Sequence, residues 1–101
     1  MLLKTVTFDR KNQYWANNRD YNFRFLHAME RHLNDLIRYR GYVYLNQICE
    51  LLGVKWDLEN ENVCVKNDGI DRIVFIQFDV FDRPNNSFLV NILSYDQETE
   101  T

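Results

Sequence analysis

His27, Glu30 and His32 are the residues that most resemble a set of metal ligands. The two histidines are five positions apart, which on a helix of ~3.6 residues per turn separates them by about 140°. They therefore cannot bind one ion from the same helix. His27 and Glu30 would supply half a site, but no cluster of His or Cys supplies the other half. We predict that the protein binds no metal and that both histidines are solvated or partly buried.

Three aspartates, Asp71, Asp79 and Asp82, lie on or near one predicted strand. Acid–base catalysis by paired carboxylates requires that the carboxylates converge. Asp71 and Asp79 share a face but are eight positions apart, and Asp82 points to the other face. We therefore interpret them as aspartates of a strand edge and a turn, which discourage further strand pairing.

The sequence contains no phosphate loop, nucleophile elbow or Cys–His pair. Each of its three glycines is explained by a helix end or a turn. Cys49 and Cys64 stand in apolar surroundings without a partner motif, so we predict buried free thiols in a reducing compartment. The sequence thus predicts no catalytic residues, no cofactor and no enzyme activity.

Arg24, Arg31 and Arg38 recur every seven residues on the exposed side of a predicted helix. Such a basic stripe can follow a phosphate backbone or an acidic protein. Asp35 lies in the same stripe, four positions from Arg31 and three from Arg38, and pairing with it would neutralise part of the charge. The stripe is therefore either a self-paired solvated face or a binding surface.

The stretch RGYVYLNQICELLGV, residues 40–54, begins like a strand and continues like the supporting helix of a helix-turn-helix. A recognition helix with polar and basic residues should then follow within a few residues. The acidic segment KWDLENENV (55–63) follows instead, and we predict it to be a loop. We therefore favour the packing of a short helix onto a sheet as the interpretation of this stretch, and we keep DNA binding through residues 40–54 as an alternative.

The same stretch is similar to a pattern in small uncharacterised proteins of phages and mobile elements of Gram-positive bacteria. In these proteins a helix ends in "GY", followed by an aromatic/aliphatic couple, "LN" and "LLG". The resemblance implies no catalytic residues. It implies a phage accessory protein in the host cytoplasm, such as an inhibitor of host defence of the anti-CRISPR kind, a regulator or a minor virion component.

The elements that would position these residues follow from local periodicity. Leu2–Phe8 alternates like a strand, and Tyr21–Arg40 carries Leu26, Met29, Leu33, Leu36 and Ile37 on one helical stripe. Asn18 or Asp20 would cap this helix and Gly41 would end it. Leu45, Ile48, Cys49 and Leu52 form the stripe of a second, short helix that starts near Asn46 and stops at Gly53.

The C-terminal part predicts strands. The pattern predicts a hairpin with Gly69 in its turn, formed by the segments VCV, KNDG and IDRIVFIQFDVFD. The segment SFLVNILSY (87–95) would be the strand that returns alongside it. One face of the long strand carries Val74, Ile76, Phe78 and Val80, and the other carries Ile73, Phe75, Gln77, Asp79 and Phe81. Because the second face is half apolar, the first strand with its loop, or a second copy of the chain, should cover it.

The composition fits a small folded domain. Of 101 residues 46% are hydrophobic and 15% aromatic, with only 3 Gly and 1 Pro, and no run approaches the ~20 apolar residues of a membrane span. The net charge of −3 is uneven: residues 1–50 carry eight basic and five acidic residues (+3), and residues 51–101 carry four and ten (−6).

We therefore predict an α+β domain at residues 1–95 with an acidic tail at 96–101. An N-terminal strand and one long and one short helix would pack on a three- to four-stranded antiparallel sheet. The predicted function is non-enzymatic binding of another protein, from the host or the phage, or of a second copy in a homodimer, without membrane contact. The candidate binding residues are Arg24, Arg31 and Arg38 on the helix and Phe75 and Phe81 on the sheet.

Overall fold

The computed structural model describes residues 1–55, 58–67, 72–84 and 87–98. Their elements are β1 (Leu2–Phe8), α1 (Arg19–Arg40), β2 (Tyr42–Tyr44), α2 (Leu45–Leu52), a short 3₁₀ helix (Leu58–Asn60), β3 (Cys64–Lys66), β4 (Arg72–Arg83) and β5 (Ser87–Glu98). The architecture is α+β, as the sequence predicts. Among the described residues no helix is long and apolar enough to cross a membrane.

Helix α1 begins two residues before its predicted start because Asn18 caps it. The Asn18 side chain accepts a hydrogen bond from the Tyr21 N–H at 3.1 Å, which satisfies one of the free donors of the first turn. Gly41 ends the helix at φ 86°. The predicted stripe packs into the core, where Leu26, Leu33 and Ile37 are buried and Met29 and Leu36 partly buried.

Helix α2 presents one apolar face, and all four residues of its predicted stripe are fully buried: Leu45, Ile48, Cys49 and Leu52. The helix begins at Leu45, one residue before the predicted start. There the Gln47 side chain accepts a hydrogen bond from the Tyr44 N–H at 3.1 Å. Gly53 stops the helix in the left-handed conformation, as predicted.

The main sheet has the order β1-β5-β4, so the last strand lies in the middle. Strands β4 and β5 pair without interruption from Arg72 opposite Glu98 to Arg83 opposite Ser87. Strand β5 thus continues to Glu98, three residues into the segment predicted as an acidic tail. The inner face carries the core residues Val6, Phe8, Ile76, Phe78, Phe88, Val90 and Ile92. The predicted alternation of faces on β4 is confirmed.

The predicted hairpin between β3 and β4 is wrong. Strand β3 pairs with β2 instead, in a separate two-stranded sheet with Val43 opposite Val65. Each short strand contributes one fully or largely buried valine to the core, so burial of this pair decides the pairing. The proposed turn at Gly69 lies outside the described residues.

Side chains of α1 occupy the edge of β4 where the hairpin partner was expected. The Asn34 side chain accepts a hydrogen bond from the Ile76 N–H at 2.7 Å and donates one to the Ile76 carbonyl at 2.9 Å. Glu30 Oε2 accepts from the Phe78 N–H at 2.7 Å. These contacts satisfy backbone groups that would otherwise pair with another strand.

We expect Asn34→Ala to lower the free energy of unfolding by about 2 kcal/mol, because it leaves two backbone groups of the buried Ile76 without partners. Urea denaturation followed by circular dichroism measures this. Asp35→Ala is the matched control, since the exposed Asp35 has Arg38 as its one side-chain partner among the described residues, and its removal should cost less than about 0.5 kcal/mol. Equal losses in the two variants would contradict the role assigned to Asn34.

Candidate functional site

The face of the main sheet turned away from α1, here called the outer sheet face, exposes apolar side chains. Phe81 is 51% exposed and Ile73 50%. Its apolar residues are Leu2, Ile73, Phe75, Phe81, Leu89, Leu93 and Tyr95, with Thr5, Thr7, Gln77, Asp79 and Asn91 between them and with Arg83 and Ser87 at one end. Strand β1 lies beside β5 and not over this face, so the predicted covering by the first strand is wrong.

Four polar residues of the outer sheet face bond to one another in pairs. Thr5 donates a hydrogen bond to Asn91 Oδ1 at 2.7 Å, and Gln77 donates to Asp79 Oδ1 at 2.8 Å. On one side of them the rings of Phe75 and Tyr95 stack at 5.3 Å between centroids. These polar side chains therefore already have hydrogen-bond partners on the same face. Its apolar side chains are the main surface that a partner could contact.

The three arginines of the helical stripe lie exposed on the solvent side of α1. Arg38 pairs with Asp35 at 3.3 Å, as the spacing predicts. Among the described residues, Arg24 and Arg31 have no carboxylate partner within 4.0 Å. Because α1 packs on the inner side of the sheet, the stripe and the outer sheet face lie on opposite sides of the molecule. The sequence-predicted binding residues therefore form two separate surfaces.

The residues considered for metal or acid–base chemistry have other partners. His27 Nδ1 lies 3.8 Å from Glu30 Oε1, while the second oxygen of Glu30 bonds the backbone of β4. Asp79 bonds Gln77, and Asp82, on the other face of β4, pairs with Arg19. Asp71 lies outside the described residues. Within the described ranges no group of three or more His, Cys, Asp or Glu is placed to hold a metal ion.

The segment between β1 and α1 is held to the body by aromatic contacts and one buried amide. The Trp15 ring lies 5.4 Å from Phe8 and 5.9 Å from Phe88 between centroids, so this ring anchors the loop to the core. Asn22 is fully buried. Its side chain accepts from the Ala16 N–H and donates to the Ala16 carbonyl, both at 2.8 Å.

This loop and the end of the β4–β5 hairpin enclose a cavity of about 530 Å³, here called the arginine cavity. Its charged lining residues are Arg10, Arg19, Asp82 and Arg83. Arg19 donates a hydrogen bond to Asp82, and this bond, with the charge of the carboxylate, raises the pKa of the Arg19 guanidinium. Sequence reasoning missed this cavity, because no local pattern connects Arg10 with Arg83.

A family model described as a family of unknown function (DUF6353) matches residues 3–93. The matched range begins in β1 and ends in β5, so it includes both helices, the outer sheet face up to Leu93 and the arginine cavity. No curated protein and no solved structure matches the chain. The description of the family names no activity or partner, so a functional proposal rests on the surfaces of this chain.

Proposed function

The chain belongs to the DUF6353 family, a family of unknown function, and we propose that it is a non-enzymatic protein-binding module that docks through its outer sheet face. One observation carries the proposal: a three-stranded face with three aromatic rings and several aliphatic side chains lies opposite the helices and is open to contact. Exposed apolar patches of this kind mark protein interaction surfaces.

The size of the face supports this proposal. Three strands ~4.8 Å apart, the longest with twelve residues at ~3.4 Å each, give a surface on the order of 500 Å². That is comparable with the largest patches found on monomeric proteins, which are often functional. It is somewhat less than the ~800 Å² that each partner buries in a standard interface, so it suits the apolar centre of an interface whose rim comes from flanking loops.

The chemistry of the face defines its partner. Asp79 is the one acidic residue among the residues that make up the outer sheet face, and Gln77 already donates to its carboxylate. The complementary surface should therefore be apolar and poor in charge, because a buried unpaired charge opposes association. A second copy of the chain and a different protein both meet this condition.

We expect Phe81→Asp to weaken association by about 30-fold or more, since an aromatic side chain that becomes buried in an interface can contribute ~2 kcal/mol or more. Two measurements test this: the mass in solution over a range of concentrations, and capture of a partner from the native host. Tyr39→Asp is the matched control, because Tyr39 is 93% exposed on α1, away from the outer sheet face. If Phe81→Asp changed neither the mass nor the captured partner, the outer sheet face would not be the docking surface.

The finer assignments remain proposals that rest on the resemblance of residues 40–54: a phage or mobile-element accessory protein in the host cytoplasm, of the anti-CRISPR kind or a virion component.

A DNA-binding regulator is the alternative. The four apolar residues of α2 are buried, and the next described elements are a 3₁₀ helix and β3, so no recognition helix follows α2 among the described residues. A regulator would bind duplex DNA in a strongly salt-dependent way, independently of Phe81.

A further inference from the structure

The arginine cavity concentrates positive charge in an acidic protein. Three of its lining side chains are arginines and one is an aspartate, so these groups carry a net charge of +2, whereas the whole chain carries −3. Gathering like charges around one cavity is unfavourable unless an anion offsets them. The charge of the cavity therefore favours an anion over a cation as a ligand.

Two of the three guanidinium groups are available to such a ligand. Asp82 holds Arg19, whose guanidinium carbon lies 5.8 Å from the centroid of the Phe88 ring. Arg10 and Arg83 are exposed, and among the described residues neither has a carboxylate within 4.0 Å. The planar guanidinium fork matches the oxygens of a phosphate group better than any other side chain.

The remaining walls of the cavity are suited to an organic group. Trp15 and Phe88 line the cavity, and Trp15 is only partly buried by the rings around it. A volume of about 530 Å³ lies within the ~300–1,000 Å³ range of small-molecule sites, which are largely apolar with a few polar groups that orient the ligand. A phosphate alone would leave most of this space and the aromatic wall unused.

From this combination we infer that the arginine cavity binds a phosphate monoester of a planar organic group, with the phosphate on Arg10 and Arg83 and the organic part against Trp15. A phosphate monoester carries a charge of about −1.5 to −2 at neutral pH, which matches the net charge of the cavity. The N-terminus of α1 borders the same cavity through Asn18 and Arg19 and adds a favourable partial charge for an anion.

Calorimetric titration of the full chain with adenosine monophosphate at low ionic strength tests the inference. We expect binding that Arg10→Gln and Arg83→Gln each weaken roughly tenfold to a hundredfold, the range of charge-assisted hydrogen bonds. Asp82→Asn should bind severalfold tighter, because it removes the one negative charge and releases Arg19. A gain in affinity cannot arise from a variant that fails to fold.

Arg31→Gln is the matched control, since it removes the same charge from the exposed side of α1, outside the cavity, and should leave the affinity unchanged. Adenosine should not bind detectably, and inorganic phosphate should bind more weakly than the nucleotide. The inference would be overturned by absence of nucleotide binding at millimolar concentration, by equal binding of adenosine or of inorganic phosphate, or by an equal loss in Arg31→Gln. Failure of Asp82→Asn to bind more tightly would overturn it as well.

Discussion

Gly53→Ala is expected to lower the free energy of unfolding by about 3 to 4 kcal/mol, of which ~1–2 kcal/mol comes from the left-handed backbone alone. Gly53 has φ 73°, and a Cβ atom there would lie 2.6 Å from Asn12 Oδ1 and 2.7 Å from Tyr14 Cδ2. Asn12 cannot simply move away. Its side chain donates to the Leu52 carbonyl at 2.7 Å and accepts from the Tyr14 N–H at 2.8 Å, so relief of the clash breaks these bonds.

Comparison with Gly41→Ala separates the backbone strain from the steric clash in the stability that Gly53→Ala loses. Gly41 has φ 86°, but the nearest atom to its added Cβ is the Asn67 carbonyl oxygen at 3.9 Å, an ordinary contact. Only the backbone term of ~1–2 kcal/mol should then be lost. Urea denaturation of both variants measures the difference. Similar losses in the two would show that the loop at Asn12 and Tyr14 yields to the added methyl group.

Asn22→Ala is expected to lower the free energy of unfolding by about 3 to 5 kcal/mol. The side chain is fully buried and makes both hydrogen bonds to the backbone of Ala16. Its loss leaves a donor and an acceptor without partners, at ~1–3 kcal/mol each, and creates a small cavity under the loop. The effect is large because two backbone groups depend on one side chain.

Asn17→Ala provides the matched control for this second prediction, since Asn17 belongs to the same loop and is exposed. Its replacement should change the free energy of unfolding by less than about 0.5 kcal/mol. Chemical denaturation gives both values, and near-ultraviolet circular dichroism reports on the surroundings of Trp15, next to Ala16. If Asn22→Ala were no worse than the control, water would be replacing the amide.

Asn22 and Gly53 hold the same loop from two sides, and this links stability to the inferred ligand site. Asn22 fixes Ala16 from α1, while Gly53 leaves space for Asn12 and Tyr14 at the end of α2. The loop between them carries Arg10 and Trp15 and leads into Arg19 at the start of α1, and all three residues line the arginine cavity. Variants that loosen the loop should therefore also weaken nucleotide binding, whereas Arg83→Gln should weaken binding with little change in stability.

The sequence predicted which side chains of the candidate site share a face of β4. It did not predict which strands lie beside β4 or whether that face is covered. The two-residue period of β4 places Phe75 and Phe81 together, and the structure confirms this. The three-residue spacing on α1 likewise predicted the Asp35–Arg38 pair, observed at 3.3 Å. The period of a strand does not specify its neighbours, so the position of β1 beside β5 and the exposure of the outer sheet face were not predictable in this way.

What the sequence by itself determined is local: the α+β class, the two helices with their apolar stripes, the helix ends at Gly41 and Gly53, and the alternation of β4. These features depend on side-chain spacing within one or two turns and on the backbone freedom of glycine. The tertiary structure alone decided the strand order, the pairing of β3 with β2, the closure of the β4 edge by Glu30 and Asn34, and the position of Arg10 and Arg83 around one cavity. Each of these joins distant segments, and the choice among partners is made by burial of the whole core and by satisfaction of backbone hydrogen bonds.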